Sequence, residues 1–286
     1  MKFRIVTDSS SNVLSIPHED YGCVPMKIVA GKEYVDAPGL NVAQMVEDLK
    51  GYKGKTGSSC PNVGEWLEAF GDAQYVFGIT ITKHLSGSYN AARQAAETYM
   101  EEHPDRRVYL FDSLAAGPEL MMIADKIRQC EAAGDDFDTT VAKVLDYHNH
   151  THTIFCLESM HNLAHNGRVP ITVAKLAGML GIRIIGEAQG GQIVAIHKPR
   201  GEKKAMLAMA QTVKERGFQD GGLIRIAHCF ADDRIQEFMS KIREDFPHAR
   251  FIVEPTTALC SYYAEHGGYL VGFEGGFNVN NDNSKF

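Results

Sequence analysis

The sequence lacks the features that mark membrane proteins and nucleic-acid-binding proteins. No apolar run approaches the roughly 20 residues that a membrane-spanning helix needs. Acidic residues outnumber basic ones by 36 to 29, and no stretch gathers a long block of lysine and arginine, so the chain would repel a phosphate backbone. We therefore predict no integral membrane segment and no nucleic-acid partner.

Closely spaced cysteines are absent as well. The six cysteines form no C-x-x-C pair, which argues against a zinc knuckle and against a dense disulfide framework. Residues 1–8 reach polar side chains after a few positions, without the apolar core or the small-residue cleavage site of a signal peptide. We expect a cytoplasmic protein with reduced, buried thiols at Cys23, Cys60, Cys130, Cys156, Cys229 and Cys260.

The first half of the chain alternates short apolar strands with amphipathic helical segments. This alternation predicts βαβ units and a mostly parallel sheet flanked by helices. A polar run at 148–152 precedes a new apolar strand, and 286 residues exceed the common size of a single domain. We therefore predict two α/β domains, an N-terminal one over residues 1–150 and a C-terminal one over residues 151–286. The strands are expected at 3–7, 22–29, 75–82, 107–111 and 153–157.

The second half repeats the alternation more loosely. Helices are expected at 202–216 and 232–246, the second with Asp232 as its N-cap. The step Gln189-Gly190-Gly191-Gln192 is typical of a hairpin turn. Further strands are expected at 182–187, 192–197, 223–228 and 251–253.

Hydroxyl-bearing residues follow the strands of the first half. In an open parallel sheet the carboxyl ends of the strands form one edge, and ligands bind in the crevice outside it. Converging hydroxyls suit a carboxylate or a phosphate, because each O–H donates to an anionic oxygen and helix N-termini add N–H donors. Serines at such positions also serve as helix caps and turn formers, so both interpretations stay open. The segments concerned are 7–11, 83–88 and 112–113, with Ser58-Ser59 in a further predicted loop.

Two catalytic motifs fail when their spacing is checked. The segment 54–56 resembles the end of a phosphate-binding P-loop, but Leu49 stands where that motif needs glycine. Around Ser59 the final glycine of a G-x-S-x-G nucleophile motif is replaced by Pro61. The sequence therefore gives little support to a nucleotide-binding loop or an α/β-hydrolase.

Two charged or titratable clusters allow more than one interpretation. His148, His150 and His152 could place three imidazoles on one face of an extended segment as a zinc site, or they lie in a solvated loop between the domains. The basic residues within 198–204 form either a solvated face or a docking surface for an acidic partner.

A set of short motifs occurs in order along the chain: Thr7-Asp8-Ser9-Ser10, Ser58-Ser59-Cys60-Pro61, Leu85-Ser86-Gly87-Ser88-Tyr89, Asp112-Ser113, Gly167-Arg168-Val169, Lys198-Pro199-Arg200 and His266-Gly267-Gly268. Their order and spacing resemble the DegV family over essentially the whole chain. The resemblance implies two α/β domains with a fatty acid buried between them. Some relatives are FakB subunits of bacterial fatty acid kinase, which present the bound acid to a separate ATP-using kinase subunit.

The resemblance also implies a ligand site. Two serines would hold the carboxylate, and an arginine and a histidine would lie near it. Neither a catalytic residue nor a metal is implied, and the only bound molecule is the fatty acid, without a cofactor. The implied ligand-binding residues are Ser58, Ser59, Ser86, Gly87, Arg168, His266 and Gly267.

The chain departs from the family pattern at three places. The first loop has Ser58 where threonine is usual and Cys60 where glutamine is usual. Asn166 stands for the first glycine of a G-G-R motif, a mild change because asparagine tolerates left-handed backbone angles. The segment 268–269 is Gly-Tyr in place of Pro-Gly, which predicts a different shape for the His266 loop.

A non-catalytic carrier of a long-chain fatty acid is therefore the leading interpretation. At about 0.8 kcal/mol per buried CH₂, a chain of roughly 16 carbons gains on the order of 10 kcal/mol before ordering costs. The expected protein partner is a fatty acid kinase subunit. Two alternatives stay open: a serine hydrolase using Ser86 or Ser58 with His84 or His266 as base, and a regulatory or adaptor protein with a structural lipid.

Overall fold

The computed structural model describes residues 2–17, 19–177 and 181–281. The first half of the chain alternates strands with helices. The strands are β1 (Arg4–Asp8), β2 (Tyr21–Val24), β3 (Lys27–Ala30), β4 (Lys32–Val35), β5 (Gly57–Ser59), β6 (Tyr75–Thr80) and β7 (Arg107–Asp112). The helices are α1 (Val42–Gly51), α2 (Val63–Phe70), α3 (Ser88–Glu102), α4 (Pro118–Ala133) and α5 (Phe137–His148). The strands expected at 3–7, 75–82 and 107–111 are confirmed within two residues at each end.

Four of these strands form a parallel sheet in the order β2-β1-β6-β7. Successive side chains of a strand point to opposite faces, so Ile5 packs with residues of α4 and α5 while Val6 packs with residues of α2 and α3. Helices therefore cover both faces, as a buried parallel sheet requires. This arrangement confirms the predicted mostly parallel sheet flanked by helices.

A small antiparallel sheet in the order β4-β3-β5 lies beside the parallel one, and the single strand expected at 22–29 is wrong. The chain changes sheets at Pro25, which has no N–H to donate to a strand ladder. β2 joins the parallel sheet and β3 joins the antiparallel one. Ser58 pairs with Ile28 across β5 and β3, so Ser58 lies on an edge strand rather than in the predicted loop.

The second half of the chain forms one six-stranded sheet in the order β10-β9-β8-β13-β11-β12. β11 and β12 are parallel, and the other neighbouring pairs are antiparallel. Its strands are β8 (Thr151–Leu157), β9 (Ile184–Gln189), β10 (Gln192–His197), β11 (Leu223–His228), β12 (Arg250–Pro255) and β13 (Tyr269–Glu274). Its helices are α6 (His161–His165), α7 (Ile171–Ala177), α8 (Glu202–Glu215), α9 (Asp232–Asp245) and α10 (Ala258–Ala264).

Local predictions for the second half have mixed outcomes. The hairpin turn between β9 and β10 is confirmed, and Gly190 and Gly191 both have positive φ, as a tight two-residue turn needs. α9 begins at Asp232 itself and Ala231 takes the cap position, so the predicted cap is wrong by one residue. The domain boundary at residue 150 stays a prediction.

Helix α10 lies in the second half of the sequence but packs on the first half. Ala258, Leu259 and Tyr262 share one buried cluster with Ile28 and Met45 of the small sheet and α1. A polar tie reinforces this packing, because the buried carboxylate of Asp36 accepts hydrogen bonds from the backbone N–H groups of Ala258 (2.8 Å) and Leu259 (3.0 Å). The two halves are therefore joined across α10.

Candidate ligand-binding cavity

A cavity of about 320 Å³ lies between the two halves of the chain. We call it the central cavity. Loops after the parallel strands line one side, and strands β8, β9, β10 and β13 line the other. Its walls are mainly apolar, with Ile81 and Leu114 from the first half and Phe155, Leu163, Ile193 and Leu270 from the second. Such a space suits an apolar chain rather than a charged metabolite.

One end of the central cavity carries polar groups. Ser58, Ser59, Ser86, Gly87 and Arg168 all line the cavity, so the structure brings five of the seven predicted residues together. Their elements are far apart in sequence: edge strand β5, the turn before α3 and the turn after α6. We call this group the polar end.

Ser86 and Gly87 lie at the N-terminus of α3. Gly87 is the N-cap of this 15-residue helix, whose first N–H groups and dipole favour an anion nearby. The Ser86 Oγ accepts a hydrogen bond of 3.2 Å from the Ser88 N–H. A serine hydroxyl has one proton and two acceptor positions, so the Ser86 O–H is left to donate toward the cavity.

Arg168 supplies positive charge at the polar end. Its Nη1 donates to the Asn166 carbonyl at 2.6 Å, and its Nε donates to the Leu85 carbonyl at 3.4 Å. Its guanidinium carbon lies 5.8 Å from the ring centroid of Tyr263. Throughout residues 2–17, 19–177 and 181–281, the structure shows no acidic side chain paired with Arg168. The charge of Arg168 therefore lacks a protein counter-ion in the described chain.

His266 and Gly267 do not line the central cavity. His266 is exposed, stacks on Phe230 at 5.8 Å between ring centroids and lines a separate outer groove that also contains His161. The loop is held away from the cavity because the Gly267 N–H donates to the Cys229 carbonyl at 2.7 Å and the Gly267 carbonyl accepts from Arg234 at 2.8 Å. The structure thus separates these two residues from the other five.

The hydroxyls after β1 brace loops instead of lining the cavity. The buried carboxylate of Asp8 accepts from the hydroxyls of Ser10 and Ser88, the latter at 2.7 Å, and from the Ile81 N–H at 3.0 Å. Burial raises the pKa of Asp8, although these hydrogen bonds oppose the rise. For this segment the interpretation as turn and cap residues is the correct one. Asp8 nonetheless matters to the polar end, because it fixes the start of α3 next to Ser86.

A buried carboxylate lies behind the cavity wall. Thr153 lines the cavity, and its hydroxyl donates to Glu119 of α4. Glu119 also accepts from the Thr151 hydroxyl and from Asn281 Nδ2 at 3.3 Å, and it lies 3.3 Å from His148 Nε2. Burial alone would raise the pKa of Glu119, but the contact with His148 and the two hydroxyls outweigh it, so its pKa is lowered. We call this group the Glu119 cluster.

The tip of the β9–β10 hairpin packs against Thr82 in the cavity wall. A Cβ atom on Gly191 would lie 2.3 Å from Thr82 Oγ1, and the φ of Gly191 is +79°. Only glycine allows both the turn and this close approach. The predicted hairpin therefore also seals part of the cavity wall, where Gly191 and Gln192 are lining residues.

Tyr263 is a residue of the polar end that sequence reasoning missed. It lines the central cavity, and its hydroxyl lies 2.7 Å from Ser58 Oγ. The two residues are 205 positions apart, and no local motif around Tyr263 marks it. A contact between residues so far apart in the sequence becomes visible only in the folded structure.

The hydrolase and the zinc-site interpretations gain no geometric support. In the part of the chain that the structure describes, neither Ser58 nor Ser86 is hydrogen-bonded to a histidine, and His84 directs its backbone N–H to Thr82 Oγ1. The proposed zinc histidines do not share an extended segment. His148 lies in α5 and bonds the Ser113 carbonyl, His150 bonds the Asp146 carbonyl, and His152 lies in β8 and bonds the Gly276 carbonyl.

Among residues 2–17, 19–177 and 181–281, no helix has both the length and the hydropathy that a bilayer requires.

Together, the fold and the site define a class: α/β proteins with a parallel helix-covered sheet, a second mixed sheet and an apolar cavity between them that is polar at one end. Comparison with known proteins makes this class specific. The family described as "Uncharacterised protein, DegV family" matches residues 2–273. The chain belongs to the DegV family, and the predicted DegV-like α/β fold is confirmed.

The relatives agree over nearly the full chain. A DegV domain-containing protein of Streptococcus gordonii is 35% identical over 280 residues, which are 96% of this chain and 99% of the relative. A DegV family protein from Eubacterium eligens, solved loaded with heptadecanoic acid, has a TM-score of 0.92 at 34% identity and covers 96% of this chain and 99% of its own. The Streptococcus pneumoniae fatty acid kinase B3 protein, solved loaded with linoleic acid, has a TM-score of 0.93 with the same identity and coverage.

Proposed function

We propose that this protein binds a long-chain fatty acid in the central cavity, with the carboxylate at Ser58, Ser86 and Arg168. The observation that carries the proposal is an apolar cavity whose polar end holds two hydroxyls and an arginine without an acidic partner among the described residues. Similar proteins solved with heptadecanoic and linoleic acid support the choice of ligand. The two predicted domains, 1–150 and 151–286, would supply opposite walls, and no cofactor would be needed.

The energetics favour such a ligand. Burying a chain of roughly 16 carbons gains on the order of 10 kcal/mol before ordering costs. A buried carboxylate without partners would be costly, so the polar end has to supply hydrogen bonds and charge. Ser58, Ser86 and Arg168 offer both, together with the N-terminus of α3.

We further propose that the bound acid is presented to a separate ATP-dependent kinase subunit in the cytoplasm. A similar protein, from Streptococcus pneumoniae, is named as a fatty acid kinase component. This chain has neither a P-loop nor a kinase-type glycine-rich loop, which phosphoryl transfer from ATP requires. Arg168 lies at the polar end, where it can offset charge on the transferred phosphoryl group, and His266 is the second candidate, from its exposed loop.

Lipid occupancy is the first test of the binding proposal. An empty apolar cavity forgoes the burial free energy, so the purified protein should carry free fatty acid from the expression host. Organic extraction and mass spectrometry should recover fatty acid in near-stoichiometric amount. A well-folded sample that yields a lipid-free extract, and that binds no added fatty acid, would contradict the proposal.

A coupled assay tests presentation to a kinase. The protein with fatty acid and Mg-ATP alone should consume no ATP above background, whereas addition of the kinase subunit from the same organism should give acyl phosphate. Arg168→Ala should lower this coupled rate by more than it lowers fatty-acid affinity, while Arg93→Ala, an exposed arginine paired with Glu97 on α3, should change neither. ATP consumption by the isolated chain would refute a carrier, and equal losses of rate and affinity would assign Arg168 to binding alone.

A further inference from the structure

We propose that Tyr263 is a positioning residue that directs the hydroxyl proton of Ser58 toward the carboxylate of the ligand. Tyr263 would donate its own O–H to Ser58 Oγ, so that Ser58 accepts from the tyrosine and donates to the ligand. The inference rests on the proposed fatty-acid function and adds a residue of the polar end that orients the serine.

The distance and the proton count lead to this arrangement. Tyr263 Oη and Ser58 Oγ lie 2.7 Å apart, and either atom can be the donor. Ser58 has a single proton, which it cannot give to both Tyr263 and a carboxylate. With an anion in the cavity, Tyr263 donates to Ser58 and Ser58 donates to the carboxylate, so that each hydroxyl proton has an acceptor. Hydrogen bonds in such a chain polarise one another, which strengthens the final bond to the anion.

The surroundings of Tyr263 keep its hydroxyl protonated and its ring in place. Burial raises the pKa of Tyr263, although the bond to Ser58 and the charge of Arg168 oppose the rise. The guanidinium of Arg168 lies 5.8 Å from the ring centroid, within cation–π range. The helix that carries Tyr263, α10, is anchored by the bonds from its first N–H groups to Asp36. Tyr263 is therefore a rigid donor.

The neighbouring tyrosine provides a matched control. The Tyr262 hydroxyl lies 2.7 Å from Thr56 Oγ1 and accepts from Asn166 Nδ2 at 2.8 Å. Tyr262 thus contacts the residue two positions before Ser58 in a similar way, but it does not line the central cavity. Removal of its hydroxyl disturbs the same helix without touching the proposed hydrogen bonds from Tyr263 to Ser58 and from Ser58 to the ligand.

The experiment compares binding of heptadecanoic acid and of heptadecanol to delipidated full-length protein. Tyr263→Phe should weaken heptadecanoic acid binding by about tenfold and heptadecanol binding by less than about twofold, because only the carboxylate depends on a directed proton. Tyr262→Phe should change neither by more than about twofold. In a Ser58→Ala background, Tyr263→Phe should cause no more than about twofold further loss, because the proton acceptor is already gone.

The outcomes separate this inference from the function on which it rests. Three results would overturn the proposed role of Tyr263 while leaving fatty-acid binding intact. They are unchanged or tighter binding of the acid by Tyr263→Phe, equal losses for acid and alcohol, and a full further loss in the Ser58→Ala background. Failure of the folded, delipidated wild-type protein to bind heptadecanoic acid would overturn the function itself. Unfolding midpoints of the ligand-free variants should stay close to wild type.

Discussion

The double variant Ser58→Ala and Ser86→Ala should bind a long-chain fatty acid at least about a hundredfold more weakly than the wild-type protein. In the proposed complex each hydroxyl would donate to a buried anion, and loss of such a bond costs about 1.5–3 kcal/mol. The two residues reach the polar end from separate elements, β5 and the turn before α3, but they share the carboxylate as a partner. The second substitution removes a donor from an anion that already lacks one, so the combined loss should be at least the sum of the two. Titration of delipidated protein with heptadecanoic acid measures the effect.

The controls for the double variant concern folding and location. Ser86 and Ser58 are only partly buried, and the free energy of unfolding of the ligand-free protein should change much less than the binding free energy. Ser159→Ala, in the outer groove, removes a serine that does not line the central cavity and should leave affinity unchanged. Wild-type affinity in the double variant would mean that the carboxylate lies elsewhere.

Removal of the buried carboxylate of Glu119 should lower the free energy of unfolding by about 3–5 kcal/mol. Glu119→Ala leaves the Thr153 hydroxyl without its carboxylate acceptor and leaves the Thr151 hydroxyl to the neutral His148 carbonyl at 3.0 Å, and each bond to a charged group contributes about 1.5–3 kcal/mol. Urea denaturation of ligand-free protein at neutral pH measures the loss. The exposed Glu97→Ala should change stability by no more than about 0.5 kcal/mol.

The same carboxylate predicts a pH dependence. The pKa of Glu119 is lowered in the folded protein, so its contribution is complete above the unfolded pKa of about 4.3 and is lost as the pH falls through the folded pKa. As the pH falls through this acidic range, the free energy of unfolding of the wild-type protein should fall more steeply than that of Glu119→Gln, which has no titrating group at position 119. Parallel stability profiles of the two proteins below pH 5 would show that Glu119 does not titrate with unfolding.

The sequence predicted the fold wherever local patterns and pairing agree. β10 and β11 have the predicted bounds because each is a short apolar run between clear turn residues. The run 22–29 looked like one strand since nothing local reveals that its two parts pair with different sheets. Only the tertiary ladders, β1 with β2 and β3 with β5, separate them.

The same distinction between local patterns and distant contacts applies to the residues of the candidate site. Ser58 and Ser86 were identified from short motifs, and the fold places both at the polar end. Tyr263 was missed because its partner lies 205 residues away. His266 was assigned to the site by resemblance, but backbone bonds of the following glycine hold its loop at the outer groove. Contacts that depend on distant parts of the chain cannot be inferred from local spacing.

The position of α10 has a consequence for how the protein can be divided. A chain cut at the predicted boundary would leave the first fragment with Met26, Ile28 and Met45 uncovered, since residues of α10 complete that buried cluster. The carboxylate of Asp36 would lose the N–H donors that make its burial tolerable. The first 150 residues would therefore make an aggregation-prone fragment rather than an autonomous module, because its core and the Asp36 carboxylate both depend on α10.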